Sequence, residues 1–581
     1  MYKLLKRLWN VITLKRKRQL VIVVLLMLLA SAAEVFSIGA VMPFLAVIAK
    51  PQVVYEHEYA QFFVNYLGLT EPNQLIFPLM VLFALAALIA GLMRILLLWS
   101  QTRISHAIGV DIGYKIYKIT LYQPYSKHVL TNSSEVISGI SIKVTQVIGN
   151  IVLPVLTIIS SFVMVTIILV ILILINPIVT SFTIISLVII YLLISLLTKK
   201  TLVNNSKLIS KKTDLIFKVL QEGLGGIRDI LIDGTQSIYY KAFRNADVPR
   251  RRAIANNQII GQSPRYVIES FAMILMALVT YYLSSDEGTL IGVFPFLGAL
   301  AIGAQRMLPL VQQAYVSWSK IYGSKAILSD TMILLEQPYP KNLKVDLKQS
   351  INFKNSISLR EISFKYSNDT PWIVNNFSID ILAGTSIGFI GSTGSGKSTL
   401  MDLIMTLLTP SKGKILIDNV EITSENYRNW QANIAHIPQT IFLNDATILE
   451  NIAFGVPIEK IDKALVRKVA KQAQIHATIE SWDQNYNTMV GERGVRISGG
   501  QRQRIGIARA LYKQVDVMIM DEATSALDNE TERVIMESLF KEYSNITILM
   551  VAHRLSSLKN CDQIIEIDSG LIKRQFKPGK Y

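Results

Sequence analysis

The hydrophobic pattern changes character once along this chain. Up to Leu310 the apolar residues run in stretches long enough to cross a bilayer, which takes roughly 20 residues in a helix. Such stretches are read near Gln19 to Ala49, Leu75 to Ser100, Val147 to Ile175, Ile178 to Thr198, Tyr266 to Leu283 and Leu290 to Leu310. Two polar stretches between them, Gln101 to Gln146 and Lys199 to Pro264, keep apolar residues at helical spacing and predict helices that carry the spans on into water. Each is broken, by Gln123-Pro124-Tyr125 in one and by Glu222-Gly223-Leu224-Gly225-Gly226 in the other. There the chain is expected to reverse, as a short helix offered to a neighbouring domain or as a solvated turn. Tyr55 to Leu69 carries Tyr59, Phe62, Phe63 and Tyr66 at helical spacing, which fits an amphipathic surface helix or an ordinary loop helix. From Ser324 to Lys348 a polar connector is expected, and after Ile351 short apolar strands alternate with helical patterns, as in an α/β domain. The expected organisation is a helical membrane domain over 1–324, a linker over 325–350 and an α/β domain over 351–581.

Composition and charge sharpen this picture. A hydrophobic share of 51% in 581 residues exceeds what a soluble domain needs. The net charge of +17 would suit nucleic acid if it were spread over the surface, but it sits beside the apolar spans. Lys3, Lys6, Arg7 and Lys15-Arg16-Lys17-Arg18 precede the first span, and Lys199-Lys200, Lys211-Lys212 and Arg250-Arg251-Arg252 flank the fourth and fifth. The opposite loops are acidic: Glu56, Glu58 and Glu71 in one, Asp286 and Glu287 in another. Positive charge stays on the cytosolic side, so both termini are expected there and no nucleic-acid partner is expected. A cleaved signal peptide, with Leu20 to Leu29 as its core and Ala30-Ser31-Ala32 as its site, is the weaker reading, because the apolar run continues through Val41-Met42-Pro43-Phe44-Leu45. The lone Cys561 excludes an intrachain disulfide and reads as an inert thiol.

Phosphate chemistry is concentrated in the α/β part. Gly391-Ser392-Thr393-Gly394-Ser395-Gly396-Lys397-Ser398-Thr399 fits the P-loop pattern without a mismatch, behind an expected strand, Ser386 to Ile390, and ahead of a helix. Its backbone N–H groups would cradle phosphates, Lys397 would bridge the terminal ones, and Ser398 would give an oxygen to Mg²⁺. The apolar run Val517 to Met520 ends in Asp521-Glu522, which places Asp521 to hold Mg²⁺ and Glu522 to orient and deprotonate an attacking water. Between them lies Ile497-Ser498-Gly499-Gly500-Gln501. In this order and spacing the segments resemble the nucleotide-binding domain of ABC transporters over the whole α/β part, with Ile497 where leucine is usual.

That resemblance implies further roles. Tyr366 would stack on adenine, Gln439 would form the Q-loop and meet the metal, Ser525 to Asp528 would be the D-loop, and His553 the switch histidine beside the catalytic Glu522. ATP and Mg²⁺ are the implied cofactors, with Ser398, Gln439 and Asp521 as metal ligands. In this family the P-loop of one domain faces the signature of another, so Ser498, Gly499, Gly500 and Gln501 would complete a partner's site. One such domain per chain implies a homodimer, with a heterodimer as the alternative. The expected fold class is an α-helical six-span transmembrane domain of ABC exporter type followed by an α/β P-loop nucleotide-binding domain.

Four charges fall inside apolar spans. Counted at about 1.5 Å per residue from the outer end, Glu34, Arg94, Glu269 and Arg306 share one belt toward the cytosolic leaflet. Two arginines there would bind a phosphate or diphosphate head group; equally, Glu34 with Arg94 and Glu269 with Arg306 would make ion pairs that dock helices. Glu34 to Phe44, Pro264 to Glu269 and Arg306 to Pro309 resemble the bacterial lipid-linked oligosaccharide flippases of the PglK type. That resemblance implies a flippase of the inner membrane moving a polyprenyl-diphosphate-linked, anionic glycan outward among membrane lipids. The alternative is an exporter of another amphiphile: a lipid A precursor, a hydrophobic drug or a peptide.

Overall fold

The computed structural model describes residues 1–49, 51–175, 177–284, 290–339, 351–367, 369–552 and 555–578. The chain divides into two compact units, one of residues 1–123 with 131–339, the other of 340–581 with 124–130.

The first unit is helical. A short helix, α1 (Tyr2–Val11), precedes α2 (Leu14–Ala49), and α3 (Ile76–Leu121) follows a small helical turn. At 46 residues α3 is about 69 Å long, more than twice the hydrocarbon thickness, so it leaves the membrane as its polar stretch predicts. Its apolar half keeps Leu85, Ile89, Leu92 and Leu96 exposed, a surface suited to lipid rather than water. Beyond Tyr122 the chain breaks, and α4 (Tyr125–Leu130) groups with the second unit. After it come α5 (Leu153–Ile175), α6 (Pro177–Gly225), α7 (Ile227–Asp233), α8 (Gln236–Ser284), α9 (Leu290–Gly323) and α10 (Lys325–Leu335). Of the expected break at Glu222 to Gly226 only Gly226 lies between α6 and the short α7, and the Tyr55 to Leu69 segment holds the helix Glu58–Leu67.

One expectation changes, and another reaches beyond the described residues. Among the described residues four helical stretches are long and apolar enough to cross a membrane: Leu14–Ser37, Pro72–Leu121, Ser133–Val170 and Val188–Gly225. The fifth and sixth expected spans follow the backbone of α8 and α9, but many of their side chains and all of 285–289 lie outside the described residues. The stretch expected to be a polar connector begins as helix, because α10 buries Ile327, Leu328, Met332 and Leu335 in the unit's core. Two π-helical turns, Gly139–Lys143 and Ile148–Val152, also interrupt the helix leading into α5. The first delivers Lys143, with its side chain 6% exposed, to Asp214 of α6 and Asp330 of α10, 2.9 Å from each. Ser138 and Ser210 donate to the same two carboxylates.

The second unit contains two sheets. The antiparallel one has the order β2-β1-β4-β5, from β1 (Ser356–Phe364), β2 (Val374–Leu382), β4 (Lys412–Ile417) and β5 (Val420–Glu421). The other has the order β10-β9-β3-β8-β7-β6, from β3 (Ser386–Ile390), β6 (Ile434–Ile437), β7 (Val517–Asp521), β8 (Thr547–Val551), β9 (Gln563–Asp568) and β10 (Leu571–Phe576). Strands β9, β3, β8, β7 and β6 pair in parallel, and β10 closes the edge antiparallel to β9. β3, β7 and β8 are buried nearly throughout, as befits parallel strands covered on both faces. Helices α11 (Lys397–Ile404), α12 (Gly499–Tyr512) and α13 (Asn529–Glu542) carry the remaining motifs.

Candidate functional site

Strand β3 ends where the P-loop begins, and α11 starts at Lys397, so the loop links the carboxyl end of a central strand to a helix amino terminus. That is the phosphate-binding edge of an open parallel sheet. Gly391 has φ 152°, and a Cβ there would lie 2.2 Å from the Ile567 carbonyl oxygen; Gly396 has φ 99°, and a Cβ would lie 2.6 Å from that of Ile373. Only glycine fits either position. The loop thus forms a cradle of backbone N–H groups sized for phosphate. Lys397, 6% exposed, donates to the Gly391 and Ser392 carbonyls at 2.8 and 2.9 Å. Burial lowers its pKa, opposed by the charges of Glu522 and Asp521.

Asp521 closes β7, and Glu522 follows in a left-handed conformation, φ 50°, with its N–H on the Val551 carbonyl of β8 at 3.0 Å. A non-glycine residue held there is strained and needs its surroundings to fix it. The Gln439 side-chain amide, two residues beyond β6, donates to the Glu522 carboxylate at 2.6 Å. Three adjacent parallel strands thereby bring Asp521, Glu522 and Gln439 together. Among the described residues no cluster of three or more His, Cys, Asp or Glu could hold a metal, so a cation here would rely on Asp521 with the oxygens of Ser398 and Gln439 and on phosphate oxygens, a set suited to Mg²⁺.

Tyr366 packs edge-on against Phe364 and brings its hydroxyl to 3.3 Å from Thr399 on the first turn of α11, with its ring still 41% exposed beside the P-loop. Asp402, one turn further along α11, is pushed up to about 6 by burial and then by Asp521. Burial, with Asp402 and Tyr366 adding to it, also raises the Tyr125 phenol, so the α4 turn lies close to this edge of its unit.

The signature segment forms a capping box at the start of α12. The Ser498 hydroxyl accepts from the Gln501 N–H, and the Gln501 side chain accepts from the Ser498 N–H at 2.9 Å. Gln501 is thus committed to its own helix end, and the half-buried Gly499 and Gly500 of the first turn lie close to Ala526. Sequence reasoning missed two braces. Gln503, 5% exposed, bonds both Ser525 and the Ala526 N–H, tying the D-loop to α12. Glu532 accepts from Thr524 and Ser557, tying the turn after Glu522 to the segment that follows His553. The only signal for either was a polar residue on an otherwise apolar helix face. His553 itself lies outside the described residues.

Of the four charges in the membrane half, Glu34, Arg94 and Glu269 have described side chains. Glu34, its side chain 4% exposed, pairs with Arg94, whose side chain remains 43% exposed. Glu269 bonds Arg265 one turn earlier on α8, at 2.7 Å. Arg306 belongs to α9, and its side chain lies outside the described residues. Below Arg94 on α3, Gln101 and Ser105 are buried with a side-chain atom that has no hydrogen-bond partner among the described residues, a polar stripe that the sequence reading passed over.

Comparison with known proteins agrees with this architecture. The family model for the ABC transporter transmembrane region matches residues 20–299, and the one for the ABC transporter cassette matches 374–525. The chain is 28% identical over 485 residues to the ATP-dependent lipid A-core flippase of Francisella tularensis, covering 81% of this chain and 78% of that protein. It is 38% identical over 323 residues to the leukotoxin export ATP-binding protein LtxB of Aggregatibacter actinomycetemcomitans, covering 55% of this chain and 44% of that one. A solved bacterial Atm1-family ABC exporter with ATP bound superposes with a TM-score of 0.79 at 21% identity, over 97% of this chain and 95% of that chain, and so shares the fold. The chain belongs to the ABC transporters, as an exporter half-transporter that joins one transmembrane region to one ATP-hydrolysing cassette.

Proposed function

We propose that two copies of this chain form a flippase of the bacterial inner membrane, with termini and cassettes in the cytosol, which moves an anionic glycolipid from the cytosolic to the outer leaflet. The first reading of the cargo is a polyprenyl-diphosphate-linked oligosaccharide. The observation that carries this reading is the Glu34–Arg94 pair. A guanidinium has five N–H donors, and one buried carboxylate uses only some of them. With 43% of its side chain exposed, Arg94 keeps donors for a forked contact with a phosphate, while Glu34 keeps the cost of the charge in lipid low. A lipid A precursor is the second reading, favoured by the flippase relative that matches most of the chain. Both cargoes join phosphate to long apolar chains, so both suit the same pair.

The cassette powers the step. Bound Mg²⁺, held by Ser398, Asp521 and Gln439, would offset negative charge on the phosphates. The P-loop backbone and Lys397 hold the nucleotide's phosphates, Tyr366 and Thr399 flank it, and Ser498, Gly499 and Gly500 complete the site of the partner copy. Glu522, fixed by Gln439, takes a proton from the attacking water, and His553 senses the terminal phosphate. The test is ATP-dependent transfer of a polyprenyl-diphosphate glycan, and in parallel of a lipid A precursor, across vesicles holding the purified protein, with Glu522→Gln as control. Transfer of the glycan lipid that the control lacks supports the first reading. Transfer of the lipid A precursor alone supports the second, and transfer of neither with ATP hydrolysis intact overturns both.

A further inference from the structure

Helix α1 stands two residues before the first membrane-crossing helix and has two unlike sides. One side is anchored: Leu8 is 4% exposed in the helical core, with Leu4, Leu5 and Val11 packed against that core, and Arg7 pairs with Glu336 just after α10. The other side carries Tyr2, Lys6 and Trp9 at positions i, i+4 and i+7, with Lys3 beside them. Tyr2 is 77% and Trp9 46% exposed, and both lysines are exposed. Lys17, at the start of α2, places its ammonium 5.3 Å from the centre of the Trp9 ring.

The charge balance on this side is one-sided. No acidic residue occurs before Glu34. The acidic groups that reach this region from other elements are engaged, Glu336 by Arg7 and Asp111 of α3 by Arg16. Among the described residues Lys3, Lys6, Lys15 and Arg18 make no ion pair, and Lys15 and Arg18 are exposed where α2 begins. Aromatic rings prefer the bilayer–water boundary, where their apolar body and polar edge are both satisfied. Ammonium groups at that depth meet lipid phosphates. Because α2 enters the membrane directly after it, the two-residue link of Ile12 and Thr13 keeps α1 close to that boundary.

We infer that Tyr2, Lys3, Lys6 and Trp9, with Lys15 and Arg18, form a binding face for anionic phospholipid headgroups, separate from the cargo path. The rings set the depth and the cations select negatively charged headgroups over zwitterionic ones. This rests only on the chain's being embedded in a membrane, and not on the cargo or on which leaflet α1 meets.

The test uses the full chain in vesicles of phosphatidylcholine that contain roughly 20 mol% of a brominated lipid, either phosphatidylglycerol or phosphatidylcholine, the same in both leaflets. Trp9 fluorescence is isolated as the difference between the native chain and Trp9→Phe. Brominated phosphatidylglycerol is expected to be enriched at Trp9 by about fivefold or more over brominated phosphatidylcholine, since each cation near the surface contributes about that factor. The preference should collapse in ~0.5 M salt. It should also collapse in Lys3→Glu/Lys6→Glu, and fall partway in the milder Lys3→Gln/Lys6→Gln, with ATP hydrolysis in phosphatidylcholine unchanged in both. Equal quenching by the two lipids, or a preference that survives both double variants, overturns the inference. A failed cargo assay leaves this measurement intact, because it reads neither transfer nor orientation.

Discussion

The cassette and the membrane half handle their charged residues in opposite ways. In the cassette, Gln439 and Glu522 stand 83 positions apart and meet in one hydrogen bond, because β6 and β7 pair in parallel and their ends must lie side by side. In the membrane half, two glutamates expected at similar depth go different ways: Glu34 reaches across to Arg94, whereas Glu269 bonds its own helical neighbour Arg265. A sheet fixes which chain ends are adjacent. A helix fixes only depth along its axis, and the rotation that decides partners comes from packing.

Replacing Glu522 by Gln tests the convergent side with the largest effect. Turnover should fall by about 10²–10⁴-fold with nucleotide binding kept, measured as phosphate release beside binding of a fluorescent ATP analogue. Near-native release would mean that the carboxylate held by Gln439 is not the base. On the divergent side, Glu34→Ala leaves the Arg94 charge without its carboxylate inside the apolar layer. The loss should be about 1–3 kcal/mol, read as a lowered unfolding midpoint in detergent, and an unchanged midpoint would remove the docking role.

Asp402 gives a smaller effect with a defined pH dependence. Its carboxyl is raised from 3.8 to about 6, so the folded state holds the proton more tightly than the unfolded one. That stabilisation is complete below pH 3.8 and is lost as the pH rises through about 6. At pH 7.5 the native protein therefore bears a partly buried carboxylate, and Asp402→Asn should raise the unfolding midpoint there, by about 1–2 kcal/mol, with the gain shrinking toward pH 5. A gain independent of pH would point to packing. Smallest of all, Glu269→Ala removes an exposed pair one turn apart and should cost about 0.5 kcal/mol or less, so a loss matching that of Glu34→Ala would erase the contrast between the two glutamates.

The sequence reading was strongest where one pattern implies one backbone. The strand Ser386–Ile390, the helix opening at Lys397 and the strand closing at Asp521 stand where the motifs put them. The break at Pro124 also falls between helices, whereas in the Glu222 to Gly226 segment only Gly226 interrupts the helix. What stayed hidden depended on contact rather than pattern. Helix α10 looked like connector because Ser329, Asp330 and Thr331 interrupt its apolar residues, yet Thr331 is buried together with Ile327, Leu328, Met332 and Leu335. The first π-helical turn lies in the stretch read as polar and the second in the apolar run that follows, and neither leaves a mark in composition. Gln503 and Glu532 read as ordinary polar helix residues until the turns they brace are in view. Cys561 behaves as its isolation implied, buried and with its thiol pushed up to about 12.

The ammonium of Lys143 works as a rivet. It holds Asp214 and Asp330 at the same 2.9 Å, so it cannot follow either carboxylate if the two move apart. Parting α6 from α10 would strip the ammonium of one carboxylate, so the segment around Lys143, α6 and α10 share a single fastening point.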